Sequence, residues 1–260
     1  MRYTCFVKDD KVSHQCYSAI ATFLNAYGWQ YDDTNPQLVI TIGGDGTVLA
    51  AVHQYINQLV NTAFVGIHTG SLGFFNDYRL EEIKDFIQDL ITKQPKIESR
   101  HLLQATIDND RSQTLFALNE FRIENNLTTQ FLQINIDNQV FEVLRGSGVC
   151  VSTQAGSTAY NRSLGGAVID EAIIGMQISE VVTVHNSRYH SLGSPLVLSP
   201  NRRVSVVARN SNFNNSVLCY DHLFIPLQGH RIIDLSLSNK QIYFARFKDM
   251  DYIKRLKSLF

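Results

Sequence analysis

The chain has 260 residues, 44% of them apolar and 18% charged, with a formal net charge of −1. These values describe a soluble globular protein with one large domain or two ordinary ones. So small a net charge gives no global field for nucleic acid or a membrane surface, and an anionic ligand must be held by local groups. Four cysteines, Cys5, Cys16, Cys150 and Cys219, stand far apart without metal-type spacing, so reduced thiols are expected. The first ten residues lack the apolar core of a signal peptide, and no stretch approaches a membrane span. A cytoplasmic protein with no membrane or nucleic-acid partner is therefore expected.

In chain order, Tyr3 to Val7 reads as a short strand. Ser13 is expected to cap a helix carrying Tyr17, Ile20, Phe23, Leu24 and Tyr27, with Gly28 as its stop. Leu38-Val39-Ile40-Thr41-Ile42 reads as a strand buried on both faces. It stops at Gly43-Gly44-Asp45-Gly46-Thr47, and Val48, Leu49, Val52, Tyr55 and Ile56 follow at helical spacing. Strand, glycine turn and helix start together make a phosphate-type cradle. Glycine lets a ligand approach the backbone, and the helix end offers unpaired N–H groups and a positive dipole. Asp45 in such a cradle suits a group that handles a proton or holds a metal ion. An acid near a helix N-terminus is also stabilising by itself.

Phe64-Val65-Gly66-Ile67 is a second buried strand, ending in the polar turn His68-Thr69-Gly70-Ser71-Leu72-Gly73-Phe74. Leu80, Ile83, Phe86, Ile87, Leu90 and Ile91 mark the next helix. Strands alternating with helices imply a parallel sheet, whose ligands bind at the carboxyl ends of the strands. Both glycine turns belong to that edge.

After about residue 98 the pattern becomes short alternating segments: Leu103 to Ile107, Thr114 to Ile123, Gln130 to Ile136 and Val140 to Leu144, with Asp137-Asn138-Gln139 as a turn. Val204 to Ala208, Val217 to Tyr220, Ile232 to Leu237 and Gln241 to Ala245 continue it, which implies an antiparallel layered domain. Asp251 to Phe260 reads as a short helix with Lys254, Arg255 and Lys257 on a solvated face. Three features interrupt the strands. Asn119-Glu120 breaks alternation, so one of the two points inward or sits at a bulge. Arg145-Gly146-Ser147-Gly148 and the stretch from Ser152 to Gly166 are too rich in small and hydroxylated residues for a core. They suit a loop and helix start that press amides and hydroxyls onto a polar ligand, with Tyr160 free to stack on a base. Tyr220-Asp221-His222 ends a strand with an acid and a histidine, a pairing that is more often structural than functional.

Gly43-Gly44-Asp45-Gly46-Thr47, Asn119-Glu120 and Gly156-Ser157-Thr158-Ala159-Tyr160, in this order and at these separations, resemble the NAD kinase family in its short bacterial form, over about residues 38 to 246. The resemblance implies phosphorylation of the adenosine ribose 2′-hydroxyl of NAD to NADP, with ATP or polyphosphate as donor and a divalent metal, expected to be magnesium. It implies an α/β plus β architecture. A Rossmann-like parallel-sheet domain spans 1–98, and an antiparallel β-sandwich-like domain for NAD binding and oligomerisation spans 99–246. A C-terminal helix over 247–260 returns to the first domain, and the assembly is a homotetramer built from dimers. By matching position, Asp45 accepts the hydroxyl proton and Gly46 approaches the ligand through its backbone. Asn119 and Glu120 bind the sugar and phosphate region, and Thr158, Ala159, Tyr160 and Ser163 line the adenine end. Phe74, Arg145, Ser147, Asn161, Arg162 and Val182 complete the substrate set, while Gly43, Gly44, Thr47, Asp221 and His222 face the donor. No protein ligands for the metal are identifiable.

The chain departs from the family pattern where Arg145-Gly146-Ser147-Gly148 lacks the acid that reaches the nicotinamide end. A serine still bonds a carboxamide but without charge assistance, which implies a raised Michaelis constant with the chemistry intact. Gln154 and Ala155 also replace the usual proline and threonine or serine. Two rivals are a lipid kinase sharing the glycine turn, which would need an apolar or basic membrane face, and a non-catalytic NAD or NADP regulator, toward which only Ser147 leans.

Overall fold

The computed structural model describes residues 1–70, 73–184, 191–209, 212–249 and 251–257. Two compact units emerge: Met1–Arg100 with Lys240–Phe260, and His101–Asn239. The divisions thus fall at 100/101 and 239/240, where the pattern change gave about 98 and the resemblance implied 246/247.

The first unit opens with β1 (Arg2–Val7), α1 (Lys11–Ala26), β2 (Gln30–Tyr31), β3 (Leu38–Ile42), α2 (Asp45–Gln54) and β4 (Ala63–His68). β5 (Tyr78–Arg79) and α3 (Ile83–Thr92) follow. All pairings are parallel: β2 on β1, β1 on β3, β3 on β4, and β4 on β5. Every residue of β3 is buried, as a central strand covered on both faces requires. The core joins Tyr3, Ile20, Leu24, Ile40, Val65, Ile67 and Phe86. One local expectation is corrected: α1 is capped by Asp10, whose carboxylate accepts from the Ser13 amide at 2.8 Å. Ser13 lies inside the first turn, and its hydroxyl meets Thr69 Oγ1 at 2.9 Å. Gly28, at φ +77°, ends the helix as its spacing predicts.

The second unit carries β6 (Lys96–Ile107), whose first residues belong to the first unit, β7 (Asp110–Ala117), β8 (Glu120–Glu124), β9 (Gln130–Ile136) and β10 (Gln139–Thr153). A 3-10 turn at Ala155–Thr158, α4 (Tyr160–Ser163), β11 (Met176–Thr183), β12 (Leu196–Leu198), β13 (Arg203–Ala208), β14 (Val217–Tyr220) and β15 (Leu223–Pro226) complete its separate elements. Last come β16 (Ile232–Arg246) and α5 (Tyr252–Lys257). Pairing within this unit is antiparallel, in the order β15-β14-β8-β10-β9-β13-β16, with β11 on β10. Leu103, Phe121, Leu132, Ile134, Val151, Val204 and Ile233 lie in its core. The Asp137-Asn138 turn has both residues at positive φ, as a two-residue hairpin demands.

Four readings change. The run Thr114–Ile123 is broken at Leu118–Asn119 into β7 and β8, for a reason given below. Ile232–Leu237 and Gln241–Ala245 form one strand, β16, because Ser238-Asn239-Lys240 stays extended between two partners. Its early residues pair with β13 and its late residues run parallel to β4. Arg145–Gly148 is strand, not loop: Gly146 and Gly148 let β10 approach its neighbours, where a Cβ would lie 2.8 Å from Val182 O and 2.0 Å from Ile123 O respectively. Arg255 is buried, 7% exposed, while Lys254 and Lys257 of the same helix are exposed. Among the described residues no helix is long and apolar enough to cross a membrane.

Candidate functional site

β3 delivers the chain to Gly43. A Cβ there would lie 2.2 Å from Thr47 Oγ1, so α2 can turn back this sharply only over glycine. Asp45, the first residue of α2, accepts hydrogen bonds from the Phe74 amide at Oδ2 (2.8 Å) and the Phe75 amide at Oδ1 (3.1 Å). Gly73 presses its bare backbone onto the same group, since a Cβ would lie 2.1 Å from Asp45 Oδ1. Each carboxylate oxygen keeps acceptor capacity beyond its one amide. Burial pushes the Asp45 carboxyl above its ordinary range, while the two amides and the electrostatic pull of Arg255 and His68 act against that rise. His68 is buried beside this region. Its Nδ1 meets Gly70 O at 2.9 Å, and its Nε2 has no hydrogen-bond partner among the described residues. Ser71 and Leu72 of the same turn lie outside the described residues.

Two other glycines of the turn behave differently. A Cβ on Gly44 or Gly46 would meet nothing within 4 Å. Packing inside the chain therefore demands glycine at 43 and 73 but not at 44 and 46. The open surface above the start of α2 is available to something from outside.

In the second unit the break at Leu118–Asn119 is made by Asp221. Its carboxylate accepts from the Leu118 amide at 2.8 Å and the Asn119 amide at 2.7 Å, taking two donors out of the ladder. Asp221 sits at φ +50° in the turn between β14 and β15, and the exposed His222 follows it. Thr153 closes the other side, its amide donating to Asn119 O (2.8 Å) and its hydroxyl to Leu118 O (2.6 Å). Gly156 packs against Asn119 O, where a Cβ would come within 2.0 Å. The result is two buried polar side chains, Asn119 and Glu120, with Oδ1 and Oε2 left without hydrogen-bond partners among the described residues. Such orphans are costly unless a ligand satisfies them. Arg122 lies 3.7 Å from Glu120 and bonds both oxygens of Glu124.

Burial, then the charge of Asp221, pushes the Glu120 carboxyl up to about 8, against the pull of Arg122. A carboxyl raised in the folded state contributes stability that is complete below its ordinary value of 4.5 and is lost as pH rises through about 8. The wild type is therefore expected to lose thermal stability from pH about 5 to about 9, and Glu120→Gln to lose distinctly less. Unfolding midpoints measured across that range check this, and parallel curves would refute it.

The remaining candidates divide. Tyr160 is 36% exposed, with the Arg122 guanidinium 4.1 Å over its ring. Thr158 and Ala159 are half-buried, Ser163 and Arg162 exposed, and the Ser163 hydroxyl donates to Tyr160 O at 2.6 Å. The Asn161 side chain is used within the unit: Nδ2 donates to Ser157 O (3.3 Å) and Oδ1 accepts from Ser179 Oγ (2.7 Å). Ser152, Ser157 and Asn161 are fully buried, so part of this small-residue stretch does pack inside, contrary to expectation. Ser147 O accepts from the Asn125 amide and Gln130 Nε2, both at 2.8 Å. Arg145 lies with its guanidinium 5.4 Å from the Phe131 ring. Across the ladder Val182 is 75% exposed at φ +45°, a strained conformation for a β-branched residue. A cavity of about 360 Å³ in this unit, lined among others by Gln104, Arg111, Arg203 and Ser236, contains none of the candidates. Phe75, Asp77, Arg246 and Arg255 carry structure around Asp45 without a signal of their own in the sequence, whereas His68 and Gly73 belong to the polar turn placed at the ligand edge.

Two family models match the chain, the ATP-NAD kinase N-terminal domain over residues 4–94 and the ATP-NAD kinase C-terminal domain over residues 118–247. "NAD kinase 1" of Halalkalibacterium halodurans is 36% identical over 263 residues, covering 100% of this chain and 98% of the relative. The NAD kinase of Limosilactobacillus reuteri is 36% identical with the same coverage. Among solved structures, yeast NADH kinase complexed with NADH superposes with a TM-score of 0.86 at 19% identity, covering 100% of this chain and 87% of that one. An Archaeoglobus fulgidus NAD kinase in complex with ATP gives 0.77 at 19%, covering 99% of each chain. These two likenesses concern the fold.

Proposed function

The chain belongs to the NAD kinase family, and from that premise we propose that Asp45 orients the acceptor hydroxyl and takes up its proton. The reaction is transfer of a phosphoryl group from ATP to the adenosine ribose 2′-hydroxyl of NAD, giving NADP. The observation that carries the role of Asp45 is its fixed, half-buried carboxylate at the head of α2, held by two amides and still able to accept. A sugar hydroxyl is far less acidic than a carboxylic acid, so Asp45 does not strip the proton beforehand. Phosphoryl transfer passes through a loose transition state, in which alignment and late proton uptake are what a carboxylate can supply. Burial raises the carboxyl toward a more useful basicity.

Asn119 and Glu120 bind the dinucleotide's sugar and phosphate region, a reading supported by their buried, unpartnered oxygens. Tyr160, an exposed ring, stacks on the adenine, and Thr158, Ala159 and Ser163 line that end. Ser147 in place of an acid weakens the hold on the nicotinamide end without touching the chemistry. Asp221 acts through the backbone it pins at Leu118 and Asn119. Among the described residues no three His, Cys, Asp or Glu side chains gather into a metal-holding group. A divalent cation, expected to be magnesium, would travel on the donor phosphates and keep its waters. Exposed apolar residues of the second unit, Ile173, Ile174, Val182 and Phe224, support a homotetramer. Four free thiols support a reducing, cytoplasmic setting.

NADP formation by the purified protein from NAD, ATP and magnesium tests the reading, with polyphosphate as an alternative donor. No turnover from folded protein that binds NAD would favour the non-catalytic regulator instead. Gly46→Ala adds a methyl into open space, so it is expected to keep or slightly raise the unfolding midpoint, by about 0.5–1 kcal/mol of helix preference. It should nonetheless raise the KM for nucleotide several-fold. An unchanged KM would remove Gly46 from the ligand's path.

A further inference from the structure

The peptide group joining Phe74 to Phe75 carries the N–H that donates to Asp45 Oδ1. The carbonyl on the other side of that same plane, Phe74 O, accepts from Arg255 Nη1 of α5. The next carbonyl, Phe75 O, accepts from Arg246 Nη1 at 2.8 Å. A peptide unit is a rigid plane, so a donor fixed on its carbonyl fixes the direction of its N–H. That donor also polarises the amide and strengthens its bond to the carboxylate. Both arginines are 7% exposed. Both meet Asp77 Oδ1, Arg246 through Nη1 at 2.8 Å and Arg255 through Nη2, and Arg246 Nε reaches Glu98 Oε2 at 3.2 Å. Glu98 is shared with Arg100, whose Nη2 lies 3.4 Å from the same oxygen, and with Lys96 at 3.5 Å. The Phe75 ring stacks on Phe244, itself under the Arg246 guanidinium, so this segment is held from both ends.

We propose that Arg255 is a positioning residue for phosphoryl transfer, aiming the Phe75 N–H through the Phe74 carbonyl and so setting the direction of the Asp45 carboxylate. This rests on the reading of Asp45 as the group at the acceptor hydroxyl. A planar guanidinium is needed because one side chain must bond a carbonyl and a carboxylate at a fixed angle, which a lysine cannot do. The charge has a second effect. Among the described residues, Arg255 from α5 and His68 from β4 are the side chains whose charge acts on Asp45, and both lower its carboxyl.

The test compares Arg255→Lys and Arg255→Gln with the wild type and with Asp45→Asn, well below each unfolding midpoint. Arg255→Lys keeps the charge and loses the fork. It is expected to lose about 10-fold in kcat, with the KM for NAD within about twofold and the acid limb of the pH–kcat profile in place. Arg255→Gln is expected to lose about 100-fold in kcat and to shift the acid limb to higher pH, because the nearby cation is gone and His68 remains. Wild-type kcat in Arg255→Lys overturns the proposal. So does a loss carried by KM with an unmoved acid limb in Arg255→Gln, or failure of Arg255→Lys to fold, which would make the arginine a stability element. If Asp45→Asn keeps full turnover, the role of Asp45 falls. If only Arg255→Lys behaves as wild type, this inference alone falls.

Discussion

Asp45→Asn is expected to fold, to bind NAD and to lose about 10²–10⁴ in turnover, the range that a positioned proton acceptor contributes. The substitution keeps the shape of the side chain and removes its basicity. It also has a local cost. The wild-type carboxylate accepts from both Phe74 and Phe75 amides, whereas an asparagine can accept from one and must turn its own NH₂ toward the other. A facing donor pair costs about 1–3 kcal/mol, set against relief from burying a charge. The net change in unfolding midpoint should therefore be small. Steady-state NADP formation beside calorimetric NAD binding separates the two effects, and wild-type turnover would sink the assignment.

Gly73→Ala is expected to reach nearly the same loss without touching the acid. The new methyl would stand 2.1 Å from Asp45 Oδ1 and 2.4 Å from Oδ2. That carboxylate is at the end of a short side chain with both oxygens anchored, so it has to leave its amides. A displacement on the order of 1 Å costs about 10²-fold in rate. The double variant with Asp45→Asn should be scarcely worse than Asp45→Asn alone, because both changes disable one group. Losses that multiply would mean that Gly73 acts elsewhere.

How far the sequence reveals this site depends on the range of the interactions. The strand at Leu38–Ile42, the glycine turn and the start of α2 are local, and each is legible from burial pattern and turn chemistry. Asn119-Glu120 is visible as a fault in alternation, although its cause, Asp221, lies about a hundred residues downstream. Arg255 is the opposite case. Lys254, Arg255 and Lys257 read alike in sequence, and only the buried Asp77 and the Phe74 carbonyl distinguish the middle one. The cap of α1 errs for a smaller reason: Asp10 and Ser13 are both good caps, and the acid three residues earlier reaches the Ser13 amide first. The buried Ser157 and Asn161 show that polar residues enter a core once each finds a partner. Composition alone does not reveal that.

The interleaving of the two units has a consequence for synthesis. β4 is complete by His68, but its parallel neighbour in β16 and the arginines behind Phe74 and Phe75 come after residue 240. A nascent chain therefore has to finish the whole of His101–Asn239, roughly 7–30 s at ribosomal speeds, before the segment that steadies Asp45 exists. The second unit can form its own antiparallel pairings as it emerges. The first waits with an unfinished sheet edge, and a chain cut short near its end would carry the acid without its support.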